Sequence, residues 1–307
     1  MAHVFMSSGE MIADRRFDYG RDLELRGDLA GAADLFMQAI ELAPDFASAW
    51  FALGDVRERQ GDRTGAIDAF SRAKAANGAD VLGADLRLLR LTSGKLAAMS
   101  PQYVTTLYDQ YAAKFEKSLV GDLGYRGPAL LFDAVSAVCA VAAQPMRFHR
   151  AIDLGCGTGL AAQAFKDSVE EFIGIDLSAE MIKRARATGL YKALATADAV
   201  DGLRDHPDAI ADLILAADMM IYIHDLAPLF SEAARVLKPG GLFAFTAETH
   251  EGKGVVLGAG LRFAQSEAHL RELLEQAGFS IDRIDNASIR SERDVPVPSL
   301  VMVASRA

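Results

Sequence analysis

A chain of 307 residues with a formal net charge of −10 is long enough for two domains or one large one. The acidic balance argues against a nucleic-acid partner, because a surface that tracks phosphates needs clustered Lys and Arg. Cys139 and Cys156 lack metal-type spacing, so both read as reduced, packed residues of a cytoplasmic protein without a metal site.

Residues 1–5 have neither a basic start nor an apolar core, and no secretion signal is expected. Residues 13–80 then repeat with a period of 34: Gly20 aligns with Gly54, Gly27 with Gly61, Asp28 with Asp62, Ala32 with Ala66, Phe36 with Phe70 and Ala39 with Ala73. The second copy opens on Trp50, Leu53 and Gly54, and the first closes on Glu41, Leu42, Ala43 and Pro44. Period and residue types resemble the tetratricopeptide repeat, a helix-turn-helix unit. Gly20 and Gly54 would let the paired helices approach, while Gly27 and Gly61 open the turn. Ala32 and Ala66 keep the crossing tight, and Phe36 and Phe70 fill the gap to the next helix. Arg57 and Gly78 depart from that pattern, which has Tyr and Pro there. Residues 81–98 stay helical in pattern through Leu82, Leu86 and Leu89 and read as a degenerate cap.

The sequence thus predicts an all-α domain over 1–98, bounded near Ser93-Gly94 or Ser100-Pro101, where Gly and Pro break the helical pattern. Its surface is either a dock for a partner protein or a spacer that shapes the substrate entrance or self-association. Residues 99–307 read as α/β, opening with helices over 99–145. Tyr108, Tyr111 and Phe115, at i, i+3 and i+7, share one helix face, which closes a pocket or joins the core. The apolar stretch 129–143 is interrupted by Asp133 and Ser136 and is too short for a bilayer. It reads as a buried helix, and no membrane partner is expected.

From Ala151 onward short apolar runs alternate with amphipathic stretches, the pattern of a doubly wound parallel sheet. Strands are expected at 150–154, 170–176, 192–196, 211–217, 241–248, 279–287 and 299–305. The first ends in Asp153-Leu154-Gly155-Cys156-Gly157-Thr158-Gly159, a turn that lets a ligand touch backbone. The second ends in Asp176, where a carboxylate can accept from both hydroxyls of a ribose. Dinucleotide enzymes space their glycines G-x-G-x-x-G against a pyrophosphate. Here the spacing is G-x-G-x-G, and Asp153 stands two residues before it. A carboxylate there repels a pyrophosphate and suits a cationic ligand carrying an amino group and a sulfonium.

These residues resemble motif I of the class I S-adenosylmethionine-dependent methyltransferases. The resemblance implies a Rossmann-like, doubly wound seven-stranded sheet ending in an antiparallel hairpin, and S-adenosyl-L-methionine as cofactor. It places Asp153, Gly155, Cys156, Gly157 and Gly159 in the cofactor loop and Asp176 on the ribose. Leu177 and Met181 would flank the adenine, although core packing accounts for Met181 equally well. Asp198, with Ala199, falls where the family accepts from the adenine amine, and Ala216, near the end of the fourth strand, is a further expected cofactor contact. Ser178 is a natural N-cap for a helix over 179–188. Leu237-Lys238-Pro239-Gly240-Gly241 matches the turn that habitually precedes the family's fifth strand.

The loop after the fourth strand should face the transferable methyl, since ligands bind beyond the carboxyl ends of such strands. Tyr108, Tyr111, Met219 and Tyr222 are the expected walls of an acceptor pocket, and His224, Asp218 and Tyr111 its candidate catalytic groups. An imidazole titrates near neutrality and can serve as general base. His224 equally suits a capping or surface place before a helix at Leu226, and Asp218 has the same ambiguity. No Pro-Pro-Tyr signature of amino-methylating nucleic-acid enzymes is present. The segment around Tyr103–Phe115 resembles the helix that many small-molecule methyltransferases fold over the cofactor, and the chain resembles a bacterial group of repeat-containing methyltransferases. Methyl transfer to a small-molecule acceptor is therefore expected. The rivals are a protein methyltransferase that captures substrate through the repeats, a catalytically silent cofactor-binding interaction protein, and a dinucleotide oxidoreductase.

Overall fold

Contacts divide the chain into two units, Met1–Leu107 and Tyr108–Ala307. The computed structural model describes residues 4–92, 98–115, 124–258, 260–292 and 295–307. The boundary expected at Ser93-Gly94 lies outside the described residues. The division falls after Leu107, inside the helix that begins at Pro101.

In the first unit, helices Met11–Leu25 (α1) and Leu29–Leu42 (α2) form one hairpin, and Ala47–Arg59 (α3) and Arg63–Ala76 (α4) a second. Asp28 and Asp62 cap α2 and α4, accepting from the Gly31 and Gly65 amides at 2.9 and 2.8 Å. A Cβ on Gly20 would lie 2.6 Å from the Phe36 ring, and one on Gly54 2.7 Å from the Phe70 ring. Each Phe seats on the glycine of its own hairpin and also packs toward the next helix as expected, Phe36 with Ala49 and Leu53 and Phe70 with Ala84 and Leu91. Helix Ala84–Thr92 (α5) follows and packs on α4, with Leu86 and Leu91 buried. Arg87 of α5 pairs with Asp55 of α3 at 2.8 Å. Burial pushes the Asp55 carboxyl up to about 6, against the opposing pull of Arg87.

The described residues of the second unit form nine strands: Phe148–Leu154 (β1), Val169–Asp176 (β2), Tyr191–Thr196 (β3), Ala211–Ala216 (β4), Leu237–Glu248 (β5), Val255–Leu257 (β6), Phe263–Gln265 (β7), Phe279–Glu292 (β8) and Val295–Arg306 (β9). Seven of them form one sheet in the order β3-β2-β1-β4-β5-β9-β8. The neighbours from β3 through β5 are parallel, and β9 runs antiparallel to β5 and β8. All seven expected strands are present with shifted ends. The separate β6–β7 ribbon was not expected, because three-residue strands carry too little alternation to register.

Helix Pro101–Tyr111 (α6) spans the division between the units, and Gly127–Val141 (α7) is the expected buried apolar helix. The others are Leu160–Phe165 (α8), Ala179–Ala187 (α9), Ala199–Arg204 (α10), Ala227–Val236 (α11) and Glu267–Gln276 (α12). Successive β1 side chains face opposite sides. Ala151 joins Leu131, Val135 and Phe165 under α7 and α8, while Ile152 and Leu154 join Leu203, Phe230 and Leu270 under α10, α11 and α12. Strands covered on both faces read as near-continuous apolar runs, which is why they were visible in the sequence. No described helix is long and apolar enough to cross a membrane. Strand order reverses between β1 and its two neighbours β2 and β4, and ligands of such sheets bind in the crevice at that point.

Candidate functional site at the carboxyl ends of the strands

The β1–α8 loop carries three positive-φ glycines, Gly155 at 62°, Gly157 at 53° and Gly159 at 97°. A Cβ on Gly155 would approach the Met219 Cβ to 2.8 Å, so this glycine lets the loop after β4 close onto the loop after β1. The Cys156 amide donates to the Ile175 carbonyl at 3.1 Å, pinning the loop to β2. The Cys156 side chain is buried, and burial raises its thiol well above the ordinary range. The Thr158 hydroxyl is buried with no partner.

Two carboxylates flank this loop and differ in setting. Asp176, at the end of β2, accepts from the Gly157 and Ser178 amides, each at 2.8 Å. Burial raises its pKa against those two hydrogen bonds. Each oxygen keeps a lone pair for a further donor. Asp153 is 1% exposed and accepts from the Tyr191 hydroxyl at 2.6 Å. Burial pushes Asp153 up to about 7, more than the Tyr191 hydrogen bond lowers it.

The residues beyond Asp176 behave as local structure. Ser178 caps α9, accepting from the Met181 amide at 3.1 Å, with Leu177 partly exposed before it. Met181 is fully enclosed, as core packing requires. Asp198 caps α10 through the Val200 amide at 2.8 Å, and Ala199 beside it is buried. Ala216 closes β4 with no exposed surface.

The residues expected to wall an acceptor come from distant pieces of the chain. The Tyr108 and Tyr222 hydroxyls meet at 2.6 Å. Phe115 packs edge-on against both Tyr108 and Tyr111, with centroids 5.9 and 5.8 Å away, and comes within 3.8 Å of where a Gly157 Cβ would sit. The Asp109 carboxylate accepts from the Ser178 hydroxyl and, at 3.4 Å, from the Glu180 amide. Residues 109–115 therefore lie against the loops that follow β1 and β2. Burial raises both Tyr108 and Tyr222. They suit donation better than proton removal.

Asp218 takes a left-handed backbone, φ 58°, and its amide donates to the Thr246 hydroxyl at 2.8 Å. Its carboxylate pairs with Arg290, which also pairs with Glu248 at the end of β5. Arg262, just before β7, reaches Glu248 at 3.4 Å. His224 is partly buried with its ring 5.8 Å from Phe263. It does not cap α11; the Asp225 carboxylate accepts from the Ala227 amide instead, at 3.1 Å. Sequence reasoning missed Tyr191, Glu248, Arg262 and Arg290. Only Glu248, an acid closing an apolar strand, carried a local signal.

Residues 152–245 match the family model of the methyltransferase domain. A ubiquinone biosynthesis O-methyltransferase of Xylella fastidiosa is 34% identical over 106 residues, 33% of this chain and 43% of that protein. Human methyltransferase-like protein 27 is 29% identical over 179 residues, 56% of this chain and 66% of that protein. The chain thus spans less than two thirds of either relative. The Burkholderia thailandensis 1,6-didemethyltoxoflavin-N1-methyltransferase, crystallised with 1,6-didemethyltoxoflavin and S-adenosylhomocysteine, superposes with a TM-score of 0.51 at 19% identity, covering 70% of this chain and 92% of that one, and shares the fold. The matched segment is thus similar to a methyltransferase domain, and the seven-stranded sheet around it has the fold of the Burkholderia enzyme.

Proposed function

We propose that the protein transfers a methyl group from S-adenosylmethionine to a small-molecule acceptor in the cytoplasm. The observation that carries this is Asp176, whose carboxylate is pinned by two loop amides and keeps lone pairs for a ribose diol. The loop fits the cofactor in other respects: positive-φ glycines open backbone to the ligand, and the buried Thr158 hydroxyl awaits a partner. When bound, S-adenosylmethionine supplies an electrophilic methyl on a sulfonium that leaves as a neutral thioether.

The residues of this chain then have separable tasks. Asp176 orients the ribose, while Asp153, sealed behind the loop, holds the Tyr191 hydroxyl rather than touching the ligand. Gly155, Cys156, Gly157 and Gly159 present backbone to the ligand, and Leu177 and Asp198 border the adenine side, with Met181, Ala199 and Ala216 packed behind. Tyr108, Tyr111, Phe115, Met219 and Tyr222 enclose the acceptor and exclude water, leaving the protein mainly to align the partners. Asp218 is held by Arg290, so His224 is the better candidate to receive an acceptor proton. The enclosed aromatic wall favours a small acceptor over a polymer. Calorimetry that found NAD binding, and none of S-adenosylhomocysteine, would overturn this reading.

For the first unit we infer two tetratricopeptide repeats with α5 as a cap, on the shared Gly–Phe contacts of its hairpins. A protein acceptor docked on that unit is the second reading, favoured by the non-helical residues 4–9, whose Met6 backbone is held by the Ser48 hydroxyl.

A further inference from the structure

Residues 4–9 form no helix or strand, yet they are held on the first unit as a docked peptide would be. The Ser48 hydroxyl accepts from the Met6 amide at 2.9 Å and donates to the Met6 carbonyl at 3.0 Å. One side chain, itself 3% exposed, thus satisfies both backbone groups of a single residue, a mode of recognition indifferent to sequence. Selectivity comes from the flanking contacts. The Phe5 ring lies 5.3 Å from Phe17 and 6.4 Å from Phe46, and the Asn77 amide reaches the Met6 sulfur at 2.8 Å. Phe5 and Met6 nevertheless remain 40% and 36% exposed, so the segment is only half sunk into its seat. Beyond it, the Ser8 amide and hydroxyl both bind Asp14 of α1, at 2.8 and 2.7 Å. That tie anchors the segment to α1 independently of the Phe5 and Met6 contacts.

We infer that this seat is a peptide-docking face occupied in cis, and that Phe5-Met6 stands in for a partner protein's extended segment in which an aromatic residue precedes a flexible thioether or similar unbranched apolar residue. The inference rests on the reading that the first unit docks a partner, and it adds how that docking is regulated. A tethered segment competes at an effective concentration on the order of millimolar, so a partner must displace it and weak ligands are excluded.

The probe is a fluorescein-labelled synthetic peptide with the sequence of residues 3–9, followed by fluorescence anisotropy against the full chain. Phe5→Ala, which vacates the cis position, should bind the peptide about tenfold more tightly than the unmodified protein. Adding Ser48→Ala should abolish the gain, with far-UV circular dichroism confirming that the helices persist. Equal binding by the unmodified and Phe5→Ala proteins overturns self-occupancy while leaving a docking face. No binding by any form overturns the docking reading itself. Loss of a dimer on Phe5→Ala, seen by sedimentation, would assign the segment to a second copy and also overturn the proposal.

Discussion

Replacing Asp176 with Ala tests the cofactor site at its best-defined atom. The side chain has two functions in the structure, accepting from the Gly157 and Ser178 amides at 2.8 Å and presenting free lone pairs at the tip of β2. Hydrogen bonds to a charged acceptor contribute about 1.5–3 kcal/mol, which corresponds to a loss of roughly ten- to a hundredfold in affinity for S-adenosylhomocysteine. The two amides left without an acceptor should also lower the stability of the ligand-free protein, by about 1–3 kcal/mol. Titration calorimetry gives the first quantity and urea melts the second. A 3′-deoxy analogue separates ribose recognition from loop anchoring. The unmodified protein should bind it more weakly than the parent ligand, and the variant should not discriminate, because both changes remove the same interaction. Full affinity in a folded Asp176→Ala protein, or undiminished discrimination by that variant, would refute the ribose assignment.

Other perturbations follow from the same geometry. Gly157→Val puts a branched side chain on a residue at φ 53° and should abolish S-adenosylhomocysteine binding in thermal-shift assays, while the helical signal of the first unit persists. Gly54→Ala forces a Cβ to 2.7 Å from the Phe70 ring, so urea melts should show about 1–3 kcal/mol of destabilisation in the first unit. Burial raises Asp153 to about 7, from the unfolded carboxylate value near ~3.9. The folded state holds that proton more tightly, so the group favours folding at low pH and loses this contribution as pH rises toward 7. Asp153→Asn should accordingly raise the melting temperature at pH 8 more than at pH 5, and an equal shift at both would contradict the assignment. Arg290→Met leaves Asp218 and Glu248 without a shared cation and should destabilise the protein by about 3–5 kcal/mol in chemical melts.

Sequence and structure agree where the information is local. The glycine loop, the acid closing β2 and the alternation of apolar runs lie within short stretches, and strands buried on both faces advertise themselves. The internal repeat was legible because Gly20 with Phe36 and Gly54 with Phe70 make the same contact twice. The ion cluster around Asp218 was not legible. Its central cation, Arg290, lies 72 residues from Asp218 and 42 from Glu248. It sits in an irregular stretch of β8, between Ser288 and Ser291, where a shifted register redirects a side chain. No periodicity marks such a position. His224 shows the limit from the other side: its place before a helix suggested a cap, but Asp225, one residue on, has the shorter reach to the Ala227 amide.

The most direct test of methyl transfer to a small molecule uses S-adenosylmethionine labelled in the transferable methyl. The full chain is incubated with a cell extract split into a metabolite fraction and a protein fraction, with Asp176→Ala as the control. The label should pass into the metabolite fraction with matching formation of S-adenosylhomocysteine, and the control should lose most of it. Label confined to the protein fraction, or none in either fraction above the control, would contradict small-molecule methylation.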